Sequence, residues 1–314
     1  MTKTNRARRI MGTLFSAAVL WGLGVAPGAA QEIVVKHAQG ELVLQETPER
    51  VLVQDIAVID ILDALGVEIA GVPRAAQLFP PYLKQYAGKE YINTGTLQEP
   101  NYEAIAAAGA DLMIVGARSA VKFGDLNRIL PTIDLTVDNA NFLTNVKRNI
   151  STLGDIFAKQ ERAAELNASI DEKFEQLRAA TANNESKAIV LVTNAGKLGV
   201  YGPRSRVSWV YSEAGFKPVL EDIDDRFHGG DAVSFEFILE TNPDWLFVID
   251  RDAGIGREGA AKQLLDNELV SQTNAWKNDR VVYLDPIAAY TVMHGYHSVM
   301  TLADQVLDAV SASK

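Results

Sequence analysis

The sequence predicts an α/β protein of two lobes, each built on a central, mostly parallel sheet, joined by a long rigid α-helix. Three observations predict it. Strand-like and helix-like stretches alternate along most of the 314 residues, the pattern of parallel strands covered by helices. Residues 142–180 contain almost no helix breaker and read as one or two long amphipathic helices. One helix–loop–strand unit occurs twice, once on each side of that stretch.

The elements follow in chain order. Residues 1–10 carry Lys3, Arg6, Arg8 and Arg9 and no acid. An apolar stretch over residues 10–25 follows, then Ala26-Pro27-Gly28-Ala29-Ala30. A basic start, a short apolar core and small residues make a secretory signal peptide over 1–30, cut after Ala30. Its apolar run is shorter than the ~20 residues of a membrane-spanning helix. The mature chain divides into an N-terminal lobe over 31–150, a connecting helix over 151–182 and a C-terminal lobe over 183–314. In the first lobe Val51-Leu52-Val53 reads as a buried strand and Ile56 to Leu65 as a helix closed by Gly66. Residues 69–72, 111–115 and 133–136 read as strands, with a short helix over 102–108. In the connector Leu166, Ile170, Phe174 and Leu177 recur at spacings of three and four. Strands follow near 187–193, 198–201, 244–249 and 280–284, and a last helix over 298–310.

The repeat pairs residues 101–118 with residues 234–251 at a constant offset of 133, without gaps. Glu103 matches Glu236, Ile105 matches Ile238, Asp111 matches Asp244 and Arg118 matches Arg251. Apolar positions align easily by chance; matching Glu, Asp and Arg at one offset do not. The unit implies two Rossmann-like lobes of similar build. Ligands of open α/β sheets bind beyond the carboxyl ends of the strands. Arg118 and Arg251 each follow a strand by a few residues and so belong at a cleft. Glu103 and Glu236 begin the preceding helices and belong at the opposite, outer end of each lobe.

Charge and composition exclude several classes. Removing the four basic residues of the leader from the net charge of −10 leaves −14. Such a surface repels nucleic acid and anionic membranes, so no nucleic-acid partner is expected. The chain contains no cysteine. Disulfides, thiolate metal sites, a Cys nucleophile and a lipidated N-terminal Cys are thereby excluded. The expectation is a soluble, unanchored monomer of a periplasm-like space.

Residues 95–103 (GTLQEPNYE), 202–206 (GPRSR), His228-Gly229, 234–239 (SFEFIL), 248–253 (VIDRDA) and 283–286 (YLDP) carry a resemblance over nearly all of the mature chain. In this order and spacing they resemble the siderophore-binding proteins of ABC importers, in the helical-backbone class of solute-binding proteins. The ferric-catecholate, petrobactin-type branch is the most similar. The resemblance implies a cleft in which Arg118, Arg206 and Arg251 surround an anionic iron–catecholate complex. Arg204 lies beside Arg206 and could be mistaken for it. It also implies that His228 and Tyr290, both in loops by composition, bind Fe(III) directly when the siderophore offers only four donor atoms. Glu103 and Glu236 would meet arginines of the inner-membrane permease, with Glu99 as the alternative in the first lobe. No permanent cofactor is implied; the ferric siderophore is the cargo.

The chemistry agrees with the resemblance. Catecholate oxygens are anionic acceptors, and arginine stays charged, presents several donors in a plane and stacks on aromatic rings. Ferric iron favours anionic oxygen, which makes a tyrosinate a natural ligand and an imidazole acceptable. For Glu103 and Glu236, helix capping is the plainer role and compatible with docking. His294 and His297 could form a zinc or manganese pair, but such a site needs more ligands, and only His37 and His228 remain. They read as helix-start histidines. Haem, cobalamin or a hydroxamate siderophore on the same fold is the alternative ligand. A secreted α/β hydrolase is the alternative class. His228-Gly229-Gly230 resembles an oxyanion turn, yet the chain has no Gly-x-Ser-x-Gly elbow, P-loop or dinucleotide fingerprint.

Overall fold

The computed structural model describes residues 1–2, 32–223 and 230–313. The leader beyond its first two residues, and His228, lie outside the described residues. Short runs of two to eight residues, apolar and buried in the central strands, form the two main sheets, as expected for sheets covered on both faces. Five parallel strands make the first sheet, in the order Ile92–Asn93, Gly71–Val72, Val51–Val53, Leu112–Val115, Thr132–Asp134. Val51, Leu52 and Val53 are buried at its centre. The helix Ile56–Leu65 follows directly. Asp55 caps it, accepting from the backbone N–H of Ala57 at 2.9 Å, and Gly66 closes it at φ +68°.

The second sheet runs Asp231–Val233, Lys197–Tyr201, Lys187–Asn194, Trp245–Asp250, Val281–Tyr283, with Lys217–Pro218 pairing beside Lys187. Its core is parallel, while Lys187–Asn194 and Lys197–Tyr201 form an antiparallel hairpin. The two-residue loop of that hairpin, Ala195-Gly196, has φ of +50° and +77°, the conformation that matches strand twist. It leaves Asn194 at the carboxyl end of the central strand. A small antiparallel hairpin, Ile33–His37 with Gly40–Leu44, has no counterpart in the sequence expectations, because its strands are mostly exposed and lack a buried apolar run.

The repeat has a physical basis in the backbone. Asn101 caps the helix Tyr102–Ala107 and Ser234 caps the helix Phe235–Thr241. Each helix is followed by a left-handed residue at matching positions, Gly109 at φ +58° and Asn242 at φ +39°. Asp111 then accepts from the Arg50 N–H at 2.7 Å and Asp244 from the Lys187 N–H at 2.9 Å. Each carboxylate ties its turn to the start of the neighbouring central strand.

Two helices, Phe142–Ile156 and Gln160–Thr181, run between the sheets, with Ala158 at φ +53° in the break. Leu166, Ile170, Phe174 and Leu177 are buried on one face of the second. Phe174 meets the buried Trp209 edge-on at 6.0 Å, and Phe142 approaches the same indole at 6.4 Å. The last helix, Tyr296–Ala312, begins two residues earlier than expected. One apolar core joins residues of both halves through these helices. Among the described residues no helix is long and apolar enough to cross a membrane.

Candidate functional site

The site is built around an irregular turn. Tyr290 was expected in a loop; the structure places it in a π-helical turn, Ile287–Val292. Pro286 and Asp285 start it. The Asp285 side chain accepts from the Ala288 N–H at 2.8 Å, and the Met293 N–H closes a wide turn on the Ala288 carbonyl at 2.8 Å. Periodicity cannot reveal such a turn, because its composition is that of an ordinary loop. Met293 follows at φ +60°, ψ −70°, with the His294 N–H bonded to the Val292 carbonyl at 2.7 Å. This is a tight γ-turn of the strained hand, costing about 1–3 kcal/mol. Single π turns and strained residues concentrate at functional sites. Gly254 packs beneath the turn, where an added Cβ would lie 2.6 Å from the Pro286 carbonyl and 2.9 Å from Tyr290 Cβ.

Three arginines from three separate segments converge on Tyr290, which is only 6% exposed. Arg118 lies in the 3-10 turn Ala117–Lys122, just past the strand Leu112–Val115 of the first sheet. Its Nη2 donates to the Tyr290 carbonyl at 2.7 Å and its Nη1 to the Thr291 carbonyl at 3.1 Å. Those carbonyls end the turn and lack helical partners, so an arginine of the first lobe caps a turn of the second. Arg251 begins the short helix Arg251–Gly254 after the strand Trp245–Asp250. Its Nε donates to the Tyr290 hydroxyl at 2.8 Å and its Nη1 to Asn194 Oδ1 at 2.9 Å. Arg206 donates from Nη1 to Met293 Sδ at 3.2 Å. The three guanidinium carbons lie 5.9, 5.4 and 5.2 Å from the centre of the Tyr290 ring, for Arg118, Arg251 and Arg206 respectively. Arg206 also lies 5.8 Å from the Tyr201 ring centre.

The electrostatics follow from partial burial of three like charges. Burial pulls the Arg118 guanidinium below its ordinary value; Asp55 opposes the shift and Arg206 adds to it. It remains a cation. Burial pushes the Asp55 carboxyl up, with Arg118 and the helix N–H groups opposing. Tyr201 is pushed up to about 12 by burial, against the pull of Arg206. His294 is pushed down to about 3, by burial first and then by Arg206 and Arg118. Its ring packs 5.5 Å from Phe142, and its buried Nε2 has no hydrogen-bond partner.

Of the residues singled out from sequence, Arg118, Arg206, Arg251 and Tyr290 come together. Arg204 is exposed and turns toward Asp222 and the Ile223 carbonyl. His228 lies outside the described residues. Glu103 and Glu236 are exposed on the first turns of their helices. Hydrogen bonds from its own N–H and from Ser234 hold the Glu236 carboxyl below its ordinary value. His294 and His297 have separate surroundings, His294 at the arginines and His297 on Asp60 with Nδ1 at 2.8 Å. Asn194, Tyr201, Met293 and the Thr291 carbonyl meet the same arginines, and the sequence reading does not single them out. Asn194 had a usable signal, since it ends a strand at the edge where ligands bind. A backbone carbonyl and a thioether had none.

The sequence profile of the Periplasmic binding protein family matches residues 51–288. The petrobactin-binding protein YclQ of Bacillus subtilis is 33% identical over 284 residues, 89% of each chain. Its crystal structure superposes with a TM-score of 0.83, covering 89% of this chain and 99% of that one. The ferric-anguibactin-binding protein FatB of Vibrio anguillarum is 33% identical over 281 residues, 88% of this chain and 86% of that one. The crystal structure of the periplasmic catecholate-siderophore binding protein VctP of Vibrio cholerae is 28% identical, with a TM-score of 0.81 over 90% and 100% of the two chains. The two sheets, the helices between them and the match over most of its length establish that this chain belongs to the Periplasmic binding protein family.

Proposed function

We propose that the protein captures a ferric catecholate siderophore at the Arg118–Arg206–Arg251 site and delivers it to an ABC importer in the inner membrane. The observation that carries this reading is the convergence of three guanidinium groups on one aromatic ring. An acidic protein that gathers three cations in a half-buried place works against its own repulsion. An anion with planar aromatic rings relieves that repulsion and offers acceptors for charge-assisted bonds. The name of VctP gives a catecholate siderophore as its ligand, and those of YclQ and FatB give petrobactin and ferric anguibactin, which supports a siderophore ligand here. His228 and Tyr290 would complete the iron shell of a tetradentate complex, the phenol losing its proton to do so. Glu103 and Glu236, exposed at matching positions of the repeat, would meet the permease. The protein would act as an exported, unanchored monomer of the periplasm, as a binding protein and not an enzyme.

A tryptophan-quenching panel tests the reading, with ferric bis- and tris-catecholates, a ferric hydroxamate, haem and cobalamin as probes. The expected result is tightest binding of a catecholate complex. Arg118→Ala and Arg251→Ala should each weaken it by about 1–3 kcal/mol. Wild-type affinity in both variants, or preference for a neutral hydroxamate complex, would sink the assignment.

A further inference from the structure

Next to the exposed Glu236, at Phe235, opens a groove that the arginine site does not use. Its volume is about 550 Å³. Its apolar lining is Phe235, Leu264 and Leu269, each half-buried. Its charged lining is Asp266 and Glu268, both exposed, and none of the described residues that line it is basic. The strand register fixes where it stands. Val233 pairs with Leu198, and Leu198 with Thr193 near the carboxyl end of Lys187–Asn194. The helix Phe235–Thr241 therefore starts at the carboxyl end of the second sheet. The helix that carries Glu103 starts at the same end of the first sheet, since the Asn101 N–H bonds the Thr94 carbonyl just past the strand Ile92–Asn93. A helix that precedes a parallel strand runs against it and begins where that strand ends. Both glutamates thus share an end of their lobe with Arg118 or Arg251, and not the opposite end that the sequence suggests.

A ferric catecholate does not suit this groove, because its negative charge meets two carboxylates at the rim. A polypeptide with the opposite charge does. We propose that the groove seats a bulky apolar side chain from a loop of the importer permease, flanked in that loop by arginine or lysine. The two parts of the contact have different tasks. Glu236, Asp266 and Glu268 offer the complementary charge, which steers the approach and fixes its register. The apolar side chain leaves water for the surface of Phe235, Leu264 and Leu269 and acts as the anchor, with polar groups around it. An exposed ion pair alone contributes little, so a glutamate contact needs such an anchor to hold the importer. Phe235 and Glu236 are neighbours in the first turn of one helix, which places the anchor pocket and the charged contact side by side.

This inference rests on the docking reading of Glu103 and Glu236. Its test is uptake of a radio-iron ferric bis-catecholate by cells in which this chain is the sole binding protein. Leu264→Asp puts a charge on the groove floor and should lower uptake about tenfold. Ala260→Trp fills the groove from an exposed lining position. It should have the same effect, and it serves if the aspartate variant fails to fold by circular dichroism. Asp266→Lys combined with Glu268→Lys should also lower uptake, by reversing the rim charge. Tryptophan quenching should give wild-type affinity for the ferric complex in all of these variants, which separates lost delivery from lost capture. Wild-type uptake in the folded groove variants, with uptake lowered by Glu236→Ala, overturns the groove and leaves the docking reading standing. Wild-type uptake in the combined Glu103→Ala and Glu236→Ala variant removes the docking reading and this inference with it. A dimer in sedimentation that Ala260→Trp abolishes, with uptake unchanged, would assign the groove to a second copy of the chain and overturn the proposal.

Discussion

Arg204 and Arg206 are two positions apart and face different surroundings. Arg206 is half-buried between the Tyr201 and Tyr290 rings, and Arg204 is exposed beside Asp222. An exposed ion pair contributes little, whereas a cation in a partly desolvated cleft contributes a charge-assisted bond. Arg206→Ala should weaken ligand binding by about tenfold and Arg204→Ala by less than about twofold, read by fluorescence titration. A larger loss at Arg204 would reverse the assignment. His294 makes a second prediction at this scale. Burial and two arginines depress its imidazole from 6.5 to about 3. The native state then refuses a proton that the unfolded chain accepts, so stability is lost as pH falls below 6.5 and continues to fall toward 3. His294→Gln should flatten that decline in denaturant titrations run across the acid range. An unchanged slope would mean that other groups dominate acid unfolding.

At the scale of elements, the last helix is held by a residue of the first lobe. Asp60 lies fully buried in the apolar helix Ile56–Leu65. Its carboxylate accepts from the N–H of His297 at 3.0 Å and of Ser298 at 3.2 Å, the first turn of Tyr296–Ala312, and from the Tyr82 hydroxyl at 3.0 Å. Gly295 admits this approach, since a Cβ there would clash with the carboxylate. A buried acid at a helix N-terminus satisfies orphan donors and the helix dipole together. Asp60→Ala strands those donors and should cost about 1–3 kcal/mol in denaturant stability; a neutral effect would show that water replaces the carboxylate. The hydrogen bond to Asp60 raises the His297 pKa above 6.5. The stabilisation from charged His297 is therefore present in full below 6.5 and fades as pH rises through the raised value. A His297→Gln variant should lose stability relative to wild type at pH 6 and converge with it in mild alkali.

The whole molecule is two sheets on a shared helical spine, with one apolar core running through it. Phe142, Phe174 and Trp209 lock the connecting helices to the second half. Arg118 bonds across to the Tyr290 turn, and Asp60 bonds across to the last helix. Wide hinge opening would break packed contacts that behave as solid rather than as fluid. Ligand binding should therefore change the radius of gyration by only a small fraction of its roughly 19 Å. Small-angle scattering with and without a ferric catecholate would measure it, and a contraction of several ångströms would refute the rigid spine.

The sequence by itself determined the fold class and most of the elements. Hydrophobic runs of strand length, the caps at Asp55 and Gly66, and the stripe through Leu166, Ile170, Phe174 and Leu177 are local signals of burial. Through the repeat it also placed Arg118 and Arg251 just past equivalent strands. Tertiary structure alone decided what those arginines touch. Their partners are a side-chain amide at a hairpin tip, a thioether after a γ-turn and two carbonyls that a π turn leaves unpaired. None of these has a residue signature, since a carbonyl becomes an acceptor site only when the backbone around it fails to use it. The helix over Tyr296–Ala312 was legible, but the Asp60 that caps it lies more than 230 positions earlier in the chain. Local pattern specifies which segments bury; the closure of the chain on itself specifies which polar groups meet.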